Sequence, residues 1–98
     1  MEGSICDAIL TPTPGELTFK ILLELAGSGL VASDSQVLKA MAILFLHHNL
    51  VVEPGGAISL AAALSNIHEI DAETLIIVCT GGNVDPKVFS KALDLIDV

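Results

Sequence analysis

The sequence has no arginine, four lysines and two cysteines, and none of its uncharged runs is long. Without a guanidinium, no side chain can clamp a phosphate or carboxylate through two parallel N–H donors. Twelve acidic residues against those four lysines give a net charge of −8, which excludes nucleic acid and anionic membrane surfaces as natural partners. Charged residues make up 16% and hydrophobic residues 52%. An average domain carries about 25% charged residues, so little polar surface is left to coat an independent globule. The longest stretch free of Asp, Glu, Lys and Arg is Pro54 to His68, fifteen residues containing a proline and two glycines. That is short of the ~20 residues a membrane span needs, so no spanning helix is expected. Met1-Glu2-Gly3-Ser4 offers neither a basic nor an apolar leader segment, and a cytoplasmic location is expected. Cys6 and Cys79, flanked by Ile5 and Val78, are too few for a disulfide scaffold and read as reduced, buried, structural thiols.

Ninety-eight residues suit one domain, 1–98, and there is no internal repeat or low-complexity tract. Thr13, Pro14 and Glu16 read as N-cap, first-turn proline and capping acid of a helix through Leu17, Ile21, Leu22 and Leu25, ended by Gly27 and Gly29. Ser33 and Gln36 form a second capping box, after which Val37, Met41, Leu44, Phe45 and His48 share one helical stripe as far as Asn49. Leu50 to Pro54 reads as extended, because β-branched residues and the position before proline both disfavour the α region. A third helix, Ala57 to Ser65, is apolar on nearly every side, the pattern of a buried helix with Leu60 inside. Asp85-Pro86 caps a closing helix whose inner stripe is Val88, Phe89, Ala92, Leu93 and Ile96.

Thr74 to Thr80 is a continuous apolar run, the signature of a parallel strand covered on both faces. Such a strand needs neighbours, and the chain offers at most one or two further short ones. The fold class expected is therefore α/β, with helices around a short, incomplete parallel sheet. Either several copies assemble or the sequence is part of a larger domain.

Two segments carry candidate chemistry. Thr80-Gly81-Gly82-Asn83 stands at the carboxyl end of the strand, where α/β sheets bind ligands. Two glycines permit close approach of a planar or anionic group, and a helix N-terminus follows, although a tight structural turn uses the same residues. Glu53 stands immediately before Pro54-Gly55-Gly56, either as a partner of the helix dipole or as a site residue. His47 and His48 are adjacent on a helix and so point about 100° apart, which makes no metal site, and His68 falls in a loop with no role assigned.

These segments resemble, in order and spacing, the carboxyl-terminal third of the serine and threonine dehydratases and serine racemases, the fold-type II pyridoxal-phosphate enzymes. The matching stretches are Ser4-Ile5-Cys6-Asp7-Ala8 with Thr13 to Phe19, then Val51 to Ala57, then Val78 to Pro86, so that the likeness runs from about Ser4 to Leu93. The resemblance implies that Thr80 hydrogen-bonds the pyridine nitrogen of pyridoxal phosphate. A hydroxyl can donate there without protonating the ring, leaving it a weaker electron sink than a carboxylate would. It further implies that Gly81 and Gly82 lie beside the ring, that Glu53 is a carboxylate near it, and that Ala8 stands where the family usually has glycine, an added methyl group that narrows the cofactor slot.

The family's Schiff-base lysine and its phosphate-binding loop have no counterpart, because Lys20, Lys39, Lys87 and Lys91 all fall on expected helices outside the family's Ser-Phe-Lys context. The function implied is that of the carboxyl-terminal part of a lyase that converts a β-hydroxy amino acid to a 2-oxo acid and ammonia. It is expected to be inactive alone and to bind no cofactor alone, with a homo-oligomer or an amino-terminal complement as partner. From a different class, a non-enzymatic module that self-associates and uses the Gly81-Gly82 turn for a small anion or a partner protein remains open.

Overall fold

The computed structural model describes residues 4–6, 15–27 and 29–95. They form α1 (Glu16–Leu25), α2 (Asp34–His48), α3 (Pro54–Ser65), a short 3-10 turn (Ile67–Glu69) and α4 (Pro86–Asp94). The capping box expected at α2 is present. The Ser33 hydroxyl accepts from the Gln36 backbone N–H at 3.2 Å, and the Gln36 side chain accepts from the Ser33 N–H at 2.8 Å. At its other end Asn49 takes a left-handed conformation (φ 57°), and the Leu50 N–H donates to the Leu44 carbonyl at 3.1 Å, satisfying a carbonyl that the helix leaves open. Asp85 caps α4 by accepting from the Lys87 N–H at 2.8 Å, with Pro86 in the first turn. α1 begins after Gly15; the Thr13 cap lies outside the described residues, as do Ala8 and Ile96.

The core forms around α2. Val37, Ala40, Met41, Ala42 and Leu44 are buried there, joined by Cys6, Val52, Ala57 and Ala61 of α3, and Ala92 of α4. Half of these are alanines, which let α3 and α4 approach α2 closely. Phe45 and Phe89 meet edge to face, ring centroids 5.2 Å apart, and tie α2 to α4.

Three expectations need correction. First, no strand forms among the described residues: 74–80 carries neither helix nor ladder, and Leu75, Ile76 and Val78 are 48%, 87% and 69% exposed. A strand exists only against a neighbour, and the composition that suits two covered faces here meets solvent on both. Second, α3 is not buried all round; Ala57, Ala61 and Ala63 are inside, Leu60 is half-buried and Leu64 exposed. Its small residues face α2, while its leucines lie at the margin. Third, Cys79 is exposed, because it belongs to the uncovered segment, whereas Cys6 is buried as expected. α1 buries none of its residues, leaving Leu17, Phe19 and Leu25 in solvent.

Candidate functional site

The two chemistry-bearing segments, distant in sequence, come together at the start of α3. The Glu53 N–H donates to the Gly81 carbonyl at 3.0 Å. Six residues into α3, the Ser59 hydroxyl donates to the Val78 carbonyl at 2.8 Å, so that the extended segment is held along the helix at two points. A β-carbon at Gly82 would stand 2.9 Å from the Val51 carbonyl oxygen. Gly81 has φ +70°, a left-handed conformation open to glycine, and a β-carbon there would run into the Glu53 carboxylate. Gly81 is thus required by its backbone conformation and Gly82 by the Val51 carbonyl beside it.

Glu53 is the N-cap residue of α3, yet its side chain makes no capping hydrogen bond; its carboxylate lies against Gly81 instead. It thus stands at the N-terminus of α3, where a partner of the helix dipole belongs, and also against the glycine turn. Thr80, Gly81 and Gly82 are exposed, Glu53 half-buried, and the Thr80 hydroxyl has no hydrogen-bond partner among the described residues. The cluster therefore presents a free hydroxyl, two bare backbone positions and a carboxylate on one accessible tip. Such a surface can accept a planar heteroaromatic ring, with the hydroxyl free to donate to a ring nitrogen. The residues present fit that half of pyridoxal phosphate.

Nothing in the cluster supplies a covalent anchor or a phosphate cradle. Lys20 pairs weakly with Glu16 at 3.8 Å on the exposed surface of α1, and Lys39, Lys87 and Lys91 are exposed on α2 and α4. His47 and His48 are exposed as well, and among the described residues no group of three or more His, Cys, Asp or Glu side chains is placed to hold a metal. No helix of the described residues is long and apolar enough to cross a membrane.

Two features were not singled out from the sequence. Gly56 is buried, and a β-carbon on it would collide with the Thr80 carbonyl and stand 2.7 Å from a methyl of Val52. The Gly55-Gly56 pair was the available signal, but it reads equally as helix entry. An apolar groove of about 430 Å³ also runs between α2, α3 and the extended segment, lined by Ile43, Leu44, His48, Leu60, Ile77 and Cys79 among others. It exists because the segment lies over α3 without a strand on its far side.

Residues 1–81 match the family described as pyridoxal-phosphate dependent enzyme. L-threo-3-hydroxyaspartate ammonia-lyase of Saccharomyces cerevisiae is 34% identical over 90 residues, covering 92% of this chain and 28% of that protein. Serine racemase of Dictyostelium discoideum is 32% identical over 94 residues, covering 94% and 29%. L-threonine ammonia-lyase of Thermotoga maritima is 25% identical over 96 residues, covering 96% and 24%. The chain spans 24% to 29% of the length of these relatives.

Proposed function

The chain belongs to the family of pyridoxal-phosphate dependent enzymes, and from that premise we propose that it forms the carboxyl-terminal, ring-contacting part of a lyase that turns a β-hydroxy amino acid into a 2-oxo acid and ammonia. The observation that carries this reading is the meeting of Glu53 with Gly81, between Thr80 and Gly82, on an exposed tip. Bound pyridoxal phosphate would supply the electron sink for α-proton loss. The residues of this chain act around it. The Thr80 hydroxyl would donate to the ring nitrogen, Gly81 and Gly82 would form the side-chain-free turn beside it, and Glu53 would support that turn. Serine, threonine and 3-hydroxyaspartate, the amino acids in the relatives' names, share the α-amino and β-hydroxyl groups that such an elimination needs.

The lysine that anchors the cofactor must come from outside this sequence, since all four lysines here are exposed helix-surface residues. Mixed with pyridoxal phosphate and reduced with borohydride, the chain alone is expected to show no stoichiometric adduct on a single lysine by mass spectrometry and no turnover of serine. A specific adduct with turnover would overturn the proposal. Adding the amino-terminal portion of a relative is expected to produce 2-oxo acid from at least one of the three amino acids; none from any of them counts against it.

In the assembled protein the segment 74–80 becomes a strand of a parallel sheet, its apolar residues covered on both faces. The chain alone leaves Leu75, Ile76 and Val78 in water together with Leu17, Phe19 and Leu25 of α1, and apolar surface of that kind drives association. Light scattering is expected to show dimers or larger species as concentration rises, and a strict monomer at high concentration would contradict this.

A further inference from the structure

Gly56 is buried in the first turn of α3, where an added β-carbon would collide with the Thr80 carbonyl carbon and oxygen. Three residues earlier, the Glu53 N–H holds the Gly81 carbonyl at 3.0 Å. The Glu53 carbonyl in turn accepts from the Gly56 N–H at 2.9 Å and the Ala57 N–H at 3.1 Å. The helix start and the 80–81 turn are therefore fastened within one turn, by a backbone hydrogen bond at residue 53 and by direct backbone contact at residue 56.

We propose that Gly56 is a positioning residue: its missing side chain lets α3 seat the Thr80 carbonyl, and this seating fixes where the Thr80 hydroxyl and the Gly81 turn stand relative to Glu53. A methyl group at 56 cannot be absorbed by rotamer change alone, because besides a Val52 methyl it meets the Thr80 carbonyl, which is backbone. α3 is anchored against α2 through Ala57 and Ala61, so the unladdered segment is the part that yields. It moves off, and the Glu53–Gly81 hydrogen bond breaks with it. The functional meaning of the displacement rests on the reading of Thr80 given above; the displacement itself does not.

Amide hydrogen exchange on the full chain, followed by NMR, separates the two. In Gly56→Ala the Glu53 amide is expected to exchange at least tenfold faster than in wild type and the Thr80, Gly81 and Gly82 resonances to shift, while Met41 and Ala61 keep their protection. A folded variant with unchanged Glu53 exchange would overturn the proposal. Should the variant fail to fold, the wild-type chain decides: a Glu53 amide slowed at least tenfold relative to an unstructured peptide supports the fastening, and one that exchanges as freely as the peptide overturns it. Failure of wild-type complementation with Glu53 protection intact would count against the lyase reading and leave the role of Gly56 standing.

Discussion

Replacing Met41 with alanine is expected to lower the unfolding free energy by about 3 kcal/mol, which in a chain of this length moves the thermal midpoint down by about 15 °C. Met41 is 0% exposed and is the largest of the fully buried side chains. It belongs to a buried cluster whose members from α3 and α4 are Ala57, Ala61 and Ala92, short side chains with little reach to refill the space. Leu60→Ala is expected to cost about 1 kcal/mol, because Leu60 is only half-buried at the groove margin and part of its surface already meets water. Circular dichroism melts of the two variants check the order. If Leu60→Ala proved the more damaging, α3 and not α2 would hold the centre of the core, as the apolar pattern of α3 alone suggests.

Gly81→Ala is expected to abolish 2-oxo acid formation in the complemented protein by at least a hundredfold. Two effects add. Alanine at φ +70° costs about 1–2 kcal/mol, and its methyl group meets the Glu53 carboxylate. The double variant Glu53→Ala with Gly81→Ala relieves the collision but keeps the backbone penalty, so its turn should be better formed than in Gly81→Ala alone, as measured by the Gly82 amide shift. Gly27→Ala serves as the control, since a β-carbon there meets nothing within 4 Å. Wild-type turnover by Gly81→Ala would remove the glycine from the site.

The helices were legible in the sequence wherever the signal is local. Ser33 with Gln36 and Asp85 with Pro86 determine their helix starts through hydrogen bonds spanning two or three residues, and both form as read. The third helix begins at Pro54, three residues before the expected start, because proline is well suited to a first helical turn and the following glycines do not prevent it. The strand was not legible in the same sense. The run Thr74 to Thr80 has the composition of a covered strand, but a ladder is a property of two segments, and the described chain supplies only the single backbone bond between Glu53 and Gly81. The burial of α3 was misjudged for a related reason. Hydropathy marks Leu60 and Leu64 as more apolar than Ala57 and Ala61, whereas close helix contact selects the smaller pair.

The site was half legible. Glu53, Thr80, Gly81 and Gly82 were marked by their residue types, and the structure brings all four together. That Gly56 joins them could not be read, because its reason lies in an atom of residue 80, distant along the chain. Ala8 falls outside the described residues.

The edge-to-face pair of Phe45 and Phe89 has an optical consequence. The sequence holds three phenylalanines and neither tryptophan nor tyrosine, so the polypeptide is nearly dark at the wavelengths where proteins are usually monitored. Fine structure in its phenylalanine dichroism thus reports chiefly on whether these two rings are locked, and any band at longer wavelength belongs to a bound chromophore and not to the chain.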